Sequence, residues 1–249
     1  MKRNIIYGIH PVMEALKSGK TIDKLFIQKG LKGRLSAELI ELLRANNTGY
    51  KVVPVEKLNR LTKENHQGVV GFISPVQFQD LEQILEDINP DIPVVFILLD
   101  GITDPRNFGA IIRTAAATNV AGVIIPENNS APVNEDVVKT SAGGIFKIPL
   151  IKVKHLKDAV LLFKSYGIKI IAATEKTNQS VYDVKLTENI ALLMGSEGKG
   201  IQPALLKMSD EKVKLPMSEH IESLNVSVAC GVFLYESVRQ KIKQNKNIQ

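Results

Sequence analysis

The apolar residues of this chain fall into short continuous runs, and amphipathic stretches separate the runs along most of its length. Residues 93–100 (PVVFILLD) are apolar at nearly every position, which is typical of a strand that is covered on both faces of a parallel sheet. Further strands are predicted within 123–126, 168–174, 190–195 and 212–217, and helices within 104–122, 155–167 and about 224–241. This alternation predicts an α/β fold with an open, mostly parallel sheet and helices on both faces.

The first part of the chain has a similar pattern on a smaller scale. Apolar runs at 24–28, 50–55 and 68–74 predict strands, and helical patterns occupy 11–19 and 34–47. Pro11 suits a first helical turn, and Gly49 suits the end of the second helix. The pattern predicts a small α/β sandwich that precedes the larger domain.

Charge divides the chain into three parts. Of the formal net charge of +6, residues 1–76 carry +7, residues 77–92 carry −5 and the remainder carries +4. We therefore predict a basic module at 1–76, an acidic linker with a short helix at 77–92, and the larger domain at 93–249. A basic excess of this size is often only a solvated surface, so by itself it gives modest support for a nucleic-acid partner.

Several classes of protein are disfavoured by composition. Cys230 is the only cysteine, and the four histidines are scattered, so neither an internal disulfide nor a metal site is expected. The chain has no signal-peptide pattern and no apolar run approaching about 18 residues, which predicts a cytoplasmic protein with no membrane partner.

Three polar islands follow apolar runs in the C-terminal half: 107–114 (NFGAIIRT), 195–200 (GSEGKG) and 223–225 (SLN). The loops that follow parallel strands meet at one edge of a sheet, where such folds place their ligands. The three islands are therefore predicted to converge on one pocket.

The glycine-rich island does not match the common phosphate-binding motifs. A P-loop reading would put Leu193 at its first glycine and Gly200 at its magnesium-binding Ser or Thr. The dinucleotide fingerprint belongs after the first strand of its unit, whereas this loop comes late in the domain. Glu197 would repel a diphosphate, so a cationic ligand is favoured. Glycines would let backbone groups approach such a ligand closely.

The side chains of the other two islands leave alternatives open. Asn107 and Arg113 are six residues apart, a rotation of about 240° on a helix, so they lie on different faces. Asn107 could cap its helix, and Arg113 could be an exposed charge, although its apolar neighbours favour a partner for it. Ser223 is a candidate N-cap, which would leave Asn225 in the first turn of the last helix.

Together the islands resemble the three signature motifs of the SpoU-type branch of the SPOUT RNA methyltransferases, which methylate ribose 2′-hydroxyls. The resemblance covers roughly 92–240. The strings YGIHPVMEAL and NHQGVVG resemble the N-terminal substrate-recruiting domain of the subfamily that modifies a guanosine in large-subunit ribosomal RNA, a domain similar to kink-turn-binding ribosomal proteins. The resemblance implies a C-terminal trefoil knot, S-adenosylmethionine as cofactor, and a homodimer whose sites are completed across the interface.

The resemblance also implies site residues, matched motif by motif. The active-site set is Asn107, Arg113, Glu197, Ser223 and Asn225, and the cofactor-binding set is Gly195, Leu215 and Leu224 with the loop glycines Gly198 and Gly200. Proposals for the family make the first-motif arginine a general base. Because a guanidinium stays protonated near neutral pH, we expect Arg113 to hold a neighbouring phosphate and stabilise the developing alkoxide.

The predicted function is S-adenosylmethionine-dependent 2′-O-methylation of a ribose, with a guanosine of large-subunit ribosomal RNA as the target. Methylation of transfer RNA, a resistance-type ribosomal RNA methylase, and a non-catalytic RNA-binding or assembly factor are the alternatives. His10 and His66 could each contact RNA or have a packing role. Aromatic residues make up 5% of the chain and tryptophan is absent, which argues against a base-stacking platform.

Overall fold

The computed structural model describes residues 5–46, 48–218, 220 and 223–246. The chain forms two compact units: the first extends to Gln77 and includes Pro132–Glu135, and the second contains Phe78–Ala131 and the residues from Asp136 onward. Residues 1–4 of the predicted N-terminal module, Asn47 at the end of its second predicted helix, and 247–249 of the predicted C-terminal domain lie outside the described residues.

The first unit is a four-stranded sheet with helices on both faces. Its elements are β1 (Ile5–Tyr7), α1 (Ile9–Lys17), β2 (Ile22–Gln28), α2 (Arg34–Ala45), β3 (Lys51–Val53), α3 (Val55–Leu61) and β4 (Val69–Ile73). The strand order is β1-β4-β2-β3, with antiparallel β1–β4 and β2–β4 pairs and a parallel β2–β3 pair. An α/β sandwich was predicted here.

Alternation along the strands separates the two layers of this core. Leu25 and Ile27 of β2 pack with α1 and α2 on one face, and Phe26 packs with Leu58 of α3 and Val70 on the other. Helix α2 ends four residues before Gly49, so the prediction that this glycine ends the helix is wrong. Asn46 is the C-cap instead, and its side-chain amide donates to the Leu42 carbonyl oxygen in the last turn at 2.8 Å.

The second unit contains the larger sheet. Its elements are α4 (Leu81–Glu86), β5 (Val95–Asp100), α5 (Pro105–Ala117), β6 (Gly122–Pro126), α6 (Glu135–Thr140), β7 (Leu150–Val153), α7 (Leu156–Ser165), β8 (Lys169–Ala173), β9 (Ile190–Gly195), α8 (Pro203–Met208), β10 (Glu211–Val213) and α9 (Val226–Lys246), with short 3-10 helices at Gly144–Phe146 and Val181–Asp183.

All neighbouring strands of this sheet are parallel, in the order β10-β8-β9-β5-β6-β7. The predicted α/β fold with an open, mostly parallel sheet is confirmed. The carboxyl ends of the strands therefore share one edge. The trefoil knot implied by the resemblance stays a prediction.

Helices α4, α7 and α8 cover one face of the large sheet, where Phe96, Leu98 and Leu193 are buried. The segment predicted as an acidic linker takes part in this core: Leu81 and Leu85 of α4 are buried, and the Asp80 carboxylate caps the helix by accepting from the backbone N–H groups of Glu82 and Gln83. Helix α9 packs against α5 and contacts β9. In the part of the chain that is described, no helix is long and apolar enough to span a membrane.

Candidate active site

A pocket of about 330 Å³ lies at the edge where the parallel strands end. It is lined by the loops that follow β8, β9 and β10 and by the first turns of α9. All five predicted cofactor-binding residues line it, as do Glu197 and Ser223. The islands that begin at Gly195 and Ser223 thus meet at one site, as expected of a ligand pocket outside the carboxyl ends of parallel strands.

The loop 195–200 is a tight turn that closes on itself. The Gly200 N–H donates to the Ser196 carbonyl oxygen at 2.8 Å, and Gly198 and Gly200 have φ values of 80° and 66°. A Cβ on Gly195 would lie 2.2 Å from the Gly200 carbonyl carbon and 2.3 Å from the Ile201 nitrogen. Glycine is required at 195 because the end of β9 and the end of the loop lie this close together.

The Glu197 carboxylate is held between the first and third islands. Its Oε1 accepts from Asn225 Nδ2 at 2.7 Å, from Asn107 Nδ2 at 3.3 Å and from the Val226 N–H at 3.3 Å. Asn225 Nδ2 also donates to Asn107 Oδ1 at 2.9 Å. Three side chains from distant parts of the sequence therefore form one hydrogen-bonded cluster at the pocket, joining α5, the glycine loop and the start of α9.

The N-cap of α5 is Asp104, and the N-cap of α9 differs from the one predicted. Asp104 caps α5 by accepting from the Arg106 N–H at 2.7 Å, which leaves Asn107 free for the cluster. At α9 the cap is Asn225, whose Oδ1 accepts from the N–H groups of Ser227 and Val228. The prediction of Ser223 as this cap is wrong, because the helix begins at Val226 and Asn225 directly precedes it.

Arg113 lies apart from the cluster. Its side chain is exposed. Its backbone lies against the 3-10 turn, since a Cβ built on Gly144 would be 3.4 Å from the Arg113 Cα. The Arg113 side chain makes no hydrogen bond or ion pair with any residue that the structure describes. The partner expected from its apolar neighbours is therefore not found among these residues. The different faces predicted for Asn107 and Arg113 are observed.

Two features of the site were missed by the sequence analysis. The buried Asp100 carboxylate, at the end of β5, accepts from both the backbone N–H and the side-chain Nε2 of Gln202 at 2.7 Å, which anchors the segment after the glycine loop. Thr174–Lys176 line the pocket from the loop after β8. Only their position in the sequence could have identified these residues, since each segment lies at the end of a predicted strand and so at the same edge of the sheet.

The cysteine and the buried histidine have surroundings that favour a packing role over a chemical one. Burial raises the pKa of the Cys230 thiol to about 12, so little nucleophilic thiolate forms near neutral pH. His66 is buried; its Nδ1 accepts from the Gly68 N–H and its Nε2 lies 2.9 Å from Asn59 Oδ1, which favours the packing role. The described residues contain no group of three or more side chains that could hold a metal ion.

Comparison with known families gives one match to each part of the chain. Residues 94–235 match the SpoU rRNA Methylase family, and residues 5–79 match the family described as RNA 2′-O ribose methyltransferase substrate binding. A protein of Staphylococcus aureus (strain COL) named a TrmH family tRNA/rRNA methyltransferase is 35% identical over 243 residues, which covers 97% of this chain and 98% of that protein. The chain belongs to the SpoU rRNA methylase family.

Solved structures agree with this assignment. The SpoU methyltransferase AviRb from Streptomyces viridochromogenes aligns with a TM-score of 0.63 and 25% identity over 97% of this chain and 91% of its own. AviRb in complex with the cofactor AdoMet aligns with a TM-score of 0.61 and 26% identity over 96% and 90%. At the level of the family, the expected enzyme class, RNA partner and methyl donor are confirmed.

Proposed function

We propose that this protein transfers a methyl group from S-adenosylmethionine to the ribose 2′-hydroxyl of a guanosine in large-subunit ribosomal RNA. The observation that carries the proposal is the Asn107–Glu197–Asn225 cluster beside a pocket at the carboxyl edge of the sheet. The cluster offers acceptors and donors for positioning a hydroxyl group, and the pocket can hold the methyl donor next to it.

The pocket offers apolar surface, a carboxylate and backbone groups to a cofactor. Leu215, Phe233 and Val226 give it apolar surface, and the Glu197 carboxylate lies on its wall. Three lysines and Glu175 also line the pocket, so its charge is mixed; the Glu197 carboxylate can face the sulfonium or amine of the cofactor. The turn at 195–200 offers backbone groups for hydrogen bonds. In this proposal Gly195, Leu215 and Leu224 hold the cofactor through their backbones.

Glu197 has the right surroundings to orient the target ribose. Three donors converge on its Oε1, whereas no described residue donates to Oε2. Oε2 can therefore accept a hydrogen bond from the incoming RNA. When bound, the sulfonium of the cofactor supplies a methyl group whose transfer is downhill, so the protein mainly has to align the hydroxyl, which can lower the barrier by ~7–11 kcal/mol.

We assign Arg113 to the RNA backbone beside the target. A guanidinium binds phosphate oxygens with two parallel hydrogen bonds and stabilises negative charge that develops on the ribose oxygen. The hydroxyl proton then leaves to phosphate or water, since the guanidinium is already protonated.

The position of Arg113 supports a homodimer in which a second copy supplies this residue. Arg113 and Asn107 lie on different faces of α5, and within one chain the arginine has no hydrogen bond or ion pair with the cluster. Helix α9 buries Val226, Cys230 and Phe233 within its own subunit. It also exposes Val228, Tyr235 and Ile242, each more than half exposed. Their spacing of seven residues aligns them in one apolar stripe that a second copy can cover.

We expect the protein to be a dimer at micromolar concentration, and Tyr235→Glu to shift it toward monomer because a carboxylate in an apolar interface stays poorly solvated. Equilibrium sedimentation of the full-length protein gives the mass directly. Tyr166→Glu, at an exposed tyrosine after α7, is the control and is expected to leave the mass unchanged. A wild-type monomer would contradict this assignment.

The N-terminal unit is proposed to recruit RNA without taking part in the chemistry. A fragment that starts at Phe78, which keeps α4 in its core, is expected to bind S-adenosylmethionine like the full-length protein. Its RNA affinity and the salt dependence of that affinity are expected to fall, because phosphate contacts produce the salt slope. Calorimetry and a salt titration of RNA binding measure both. An unchanged RNA affinity would show that the basic charge is an ordinary solvated surface.

The choice of ribosomal RNA rests on the N-terminal unit, since that is the part proposed to select a large structured target. Mapping 2′-O-methylation across ribosomal and transfer RNA, in cells with and without the gene, tests this choice. The proposal expects one large-subunit guanosine to lose its methyl group in the deletion strain. Loss of a transfer RNA methyl group instead would favour the alternative substrate.

A further inference from the structure

The N-terminal unit has a groove of its own, separate from the pocket of the large sheet. The groove has a volume of about 540 Å³ and runs between α2 and the edge strand β3, with the loop 28–33 at one end. From Ser36 to Arg44, both of which line it, α2 rises about 12 Å. The groove is therefore long enough for an extended ligand.

The charged side chains of the groove are mainly basic. Lys32 and Arg44 line it and are exposed, and among the described residues neither takes part in an ion pair or a side-chain hydrogen bond. Among the described residues that line the groove, Glu41 is the acidic one. The unit as a whole carries the basic excess of the chain. Two cations without partners at a concave surface suit a ligand with several negative charges.

The wall formed by the edge strand is aromatic and apolar. Tyr50 is 39% exposed and Val52 is 59% exposed, and both line the groove opposite α2. An exposed tyrosine ring in a groove that also holds cations is a surface on which an unpaired base can stack. Composition argued against an extended stacking platform, but one ring suffices for one base.

The family-like string NHQGVVG shapes this groove. The Gln28 N–H donates to the Gly68 carbonyl oxygen at 2.8 Å. Gly68 has a φ of 80°, and a Cβ there would lie 2.8 Å from Leu31 Cδ1. Gln28 and Leu31 both line the groove, and the His66 ring holds Gly68 through its Nδ1. The string therefore has a structural task, which is to fix the loop at the end of the groove.

We propose that this groove binds an unpaired segment of the substrate RNA, with one base stacked on Tyr50 and adjacent phosphates held by Lys32 and Arg44. The inference rests on the proposed function, since it supplies the contact by which the N-terminal unit recruits RNA. A peptide that extends the sheet fits less well, because β3 has only three residues and is followed at once by Pro54.

The test uses the full-length protein and a 12-nucleotide single-stranded RNA with a central 2-aminopurine, compared with the same strand in a duplex. Tyr50→Ala is expected to weaken single-strand binding roughly 5- to 100-fold, and Tyr50→Phe to change it less than about twofold. The matched control is Tyr7→Ala, which removes a 36% exposed tyrosine from β1, at the opposite edge of the same sheet. It is expected to bind like wild type.

Two further readouts separate stacking from general charge. The 2-aminopurine fluorescence is expected to be quenched by wild type and by Tyr50→Phe, and to stay unquenched with Tyr50→Ala. Lys32→Ala and Arg44→Ala are each expected to lower the salt slope of binding by about 0.7. A wild-type protein that leaves the fluorescence unchanged, or a Tyr50→Ala variant with wild-type affinity and quenching, overturns the proposal. A groove that binds a peptide instead gives one of these two results.

Methyl transfer to ribosomal RNA, measured on the same preparations, separates this inference from the proposed function. If wild type transfers methyl groups and RNA affinity is insensitive to Tyr50→Ala, the groove assignment fails alone. If wild type transfers none while binding depends on Tyr50, the proposed function fails alone. Thermal unfolding of Tyr50→Ala, compared with wild type, shows whether the loss in this variant comes from the missing ring or from unfolding.

Discussion

Replacing Arg113 by alanine is expected to lower the rate of methyl transfer by ~10²-fold or more, because the guanidinium would stabilise charge that forms only in the transition state. The affinity for S-adenosylmethionine is expected to stay nearly unchanged, since within one chain Arg113 lies on a different face of α5 from Asn107. Single-turnover methylation at saturating RNA measures the rate, and calorimetry measures cofactor binding.

The matched control for this variant is Arg106→Ala, which removes another exposed arginine from the same helix. It is expected to methylate like wild type. Arg113→Lys is expected to recover only part of the rate, because an ammonium keeps the charge but lacks the planar pair of donors. An Arg113→Ala enzyme that works at close to the wild-type rate would show that the arginine is only a surface charge.

Replacing Gly195 by alanine is expected to reduce S-adenosylmethionine affinity by ~10²-fold or more, since small displacements at a binding site can have effects of that size. The added Cβ would meet backbone atoms of Gly200 and Ile201 at 2.2 and 2.3 Å, and backbone cannot swing aside as a flexible side chain can. The loop must open, which moves Glu197 away from Asn107 and Asn225. Calorimetric titration with the cofactor measures the loss, and thermal unfolding shows how much of it comes from reduced stability.

Gly198→Ala is the control for backbone strain in the same loop. Gly198 has a φ of 80°, but a Cβ there would meet nothing within 4 Å. Its cost is expected to be the ~1–2 kcal/mol of an alanine in the left-handed region, with a smaller loss of cofactor affinity than in Gly195→Ala. Equal affinities of Gly195→Ala and wild type would contradict the view that the pocket depends on this close approach.

Much of this fold could be predicted because each long element has a strong pattern. The run 93–100 became β5, and Asp104 with Pro105 marked the start of α5. Strand β7 was missed because its four residues include a lysine, and α3 was missed because seven residues give little helical periodicity. Helix α4 is present within the predicted acidic linker, but its charges gave no sign that Leu81 and Leu85 are buried.

The site could be located from sequence but not its hydrogen bonds. Parallel strands direct their following loops to one edge, which was enough to place Glu197 in the pocket wall and Asn225 within hydrogen-bond distance of it. Local pattern could not distinguish Ser223 from Asn225 as the helix cap, since both residue types favour that position. The role of Asp100 depends on Gln202, 102 residues away, and no local signal reports such a pair.

The central claim is methyl transfer to a ribose hydroxyl, and the most direct measurement is the modified nucleoside itself. Purified protein is incubated with S-adenosylmethionine carrying a labelled methyl group and with large-subunit ribosomal RNA from a strain that lacks the gene. The RNA is then digested to nucleosides for mass spectrometry. We predict one labelled 2′-O-methylguanosine per RNA, which Arg113→Ala greatly reduces and Arg106→Ala does not. Label on a base, or no label in this RNA with a protein that binds the cofactor, would contradict the account.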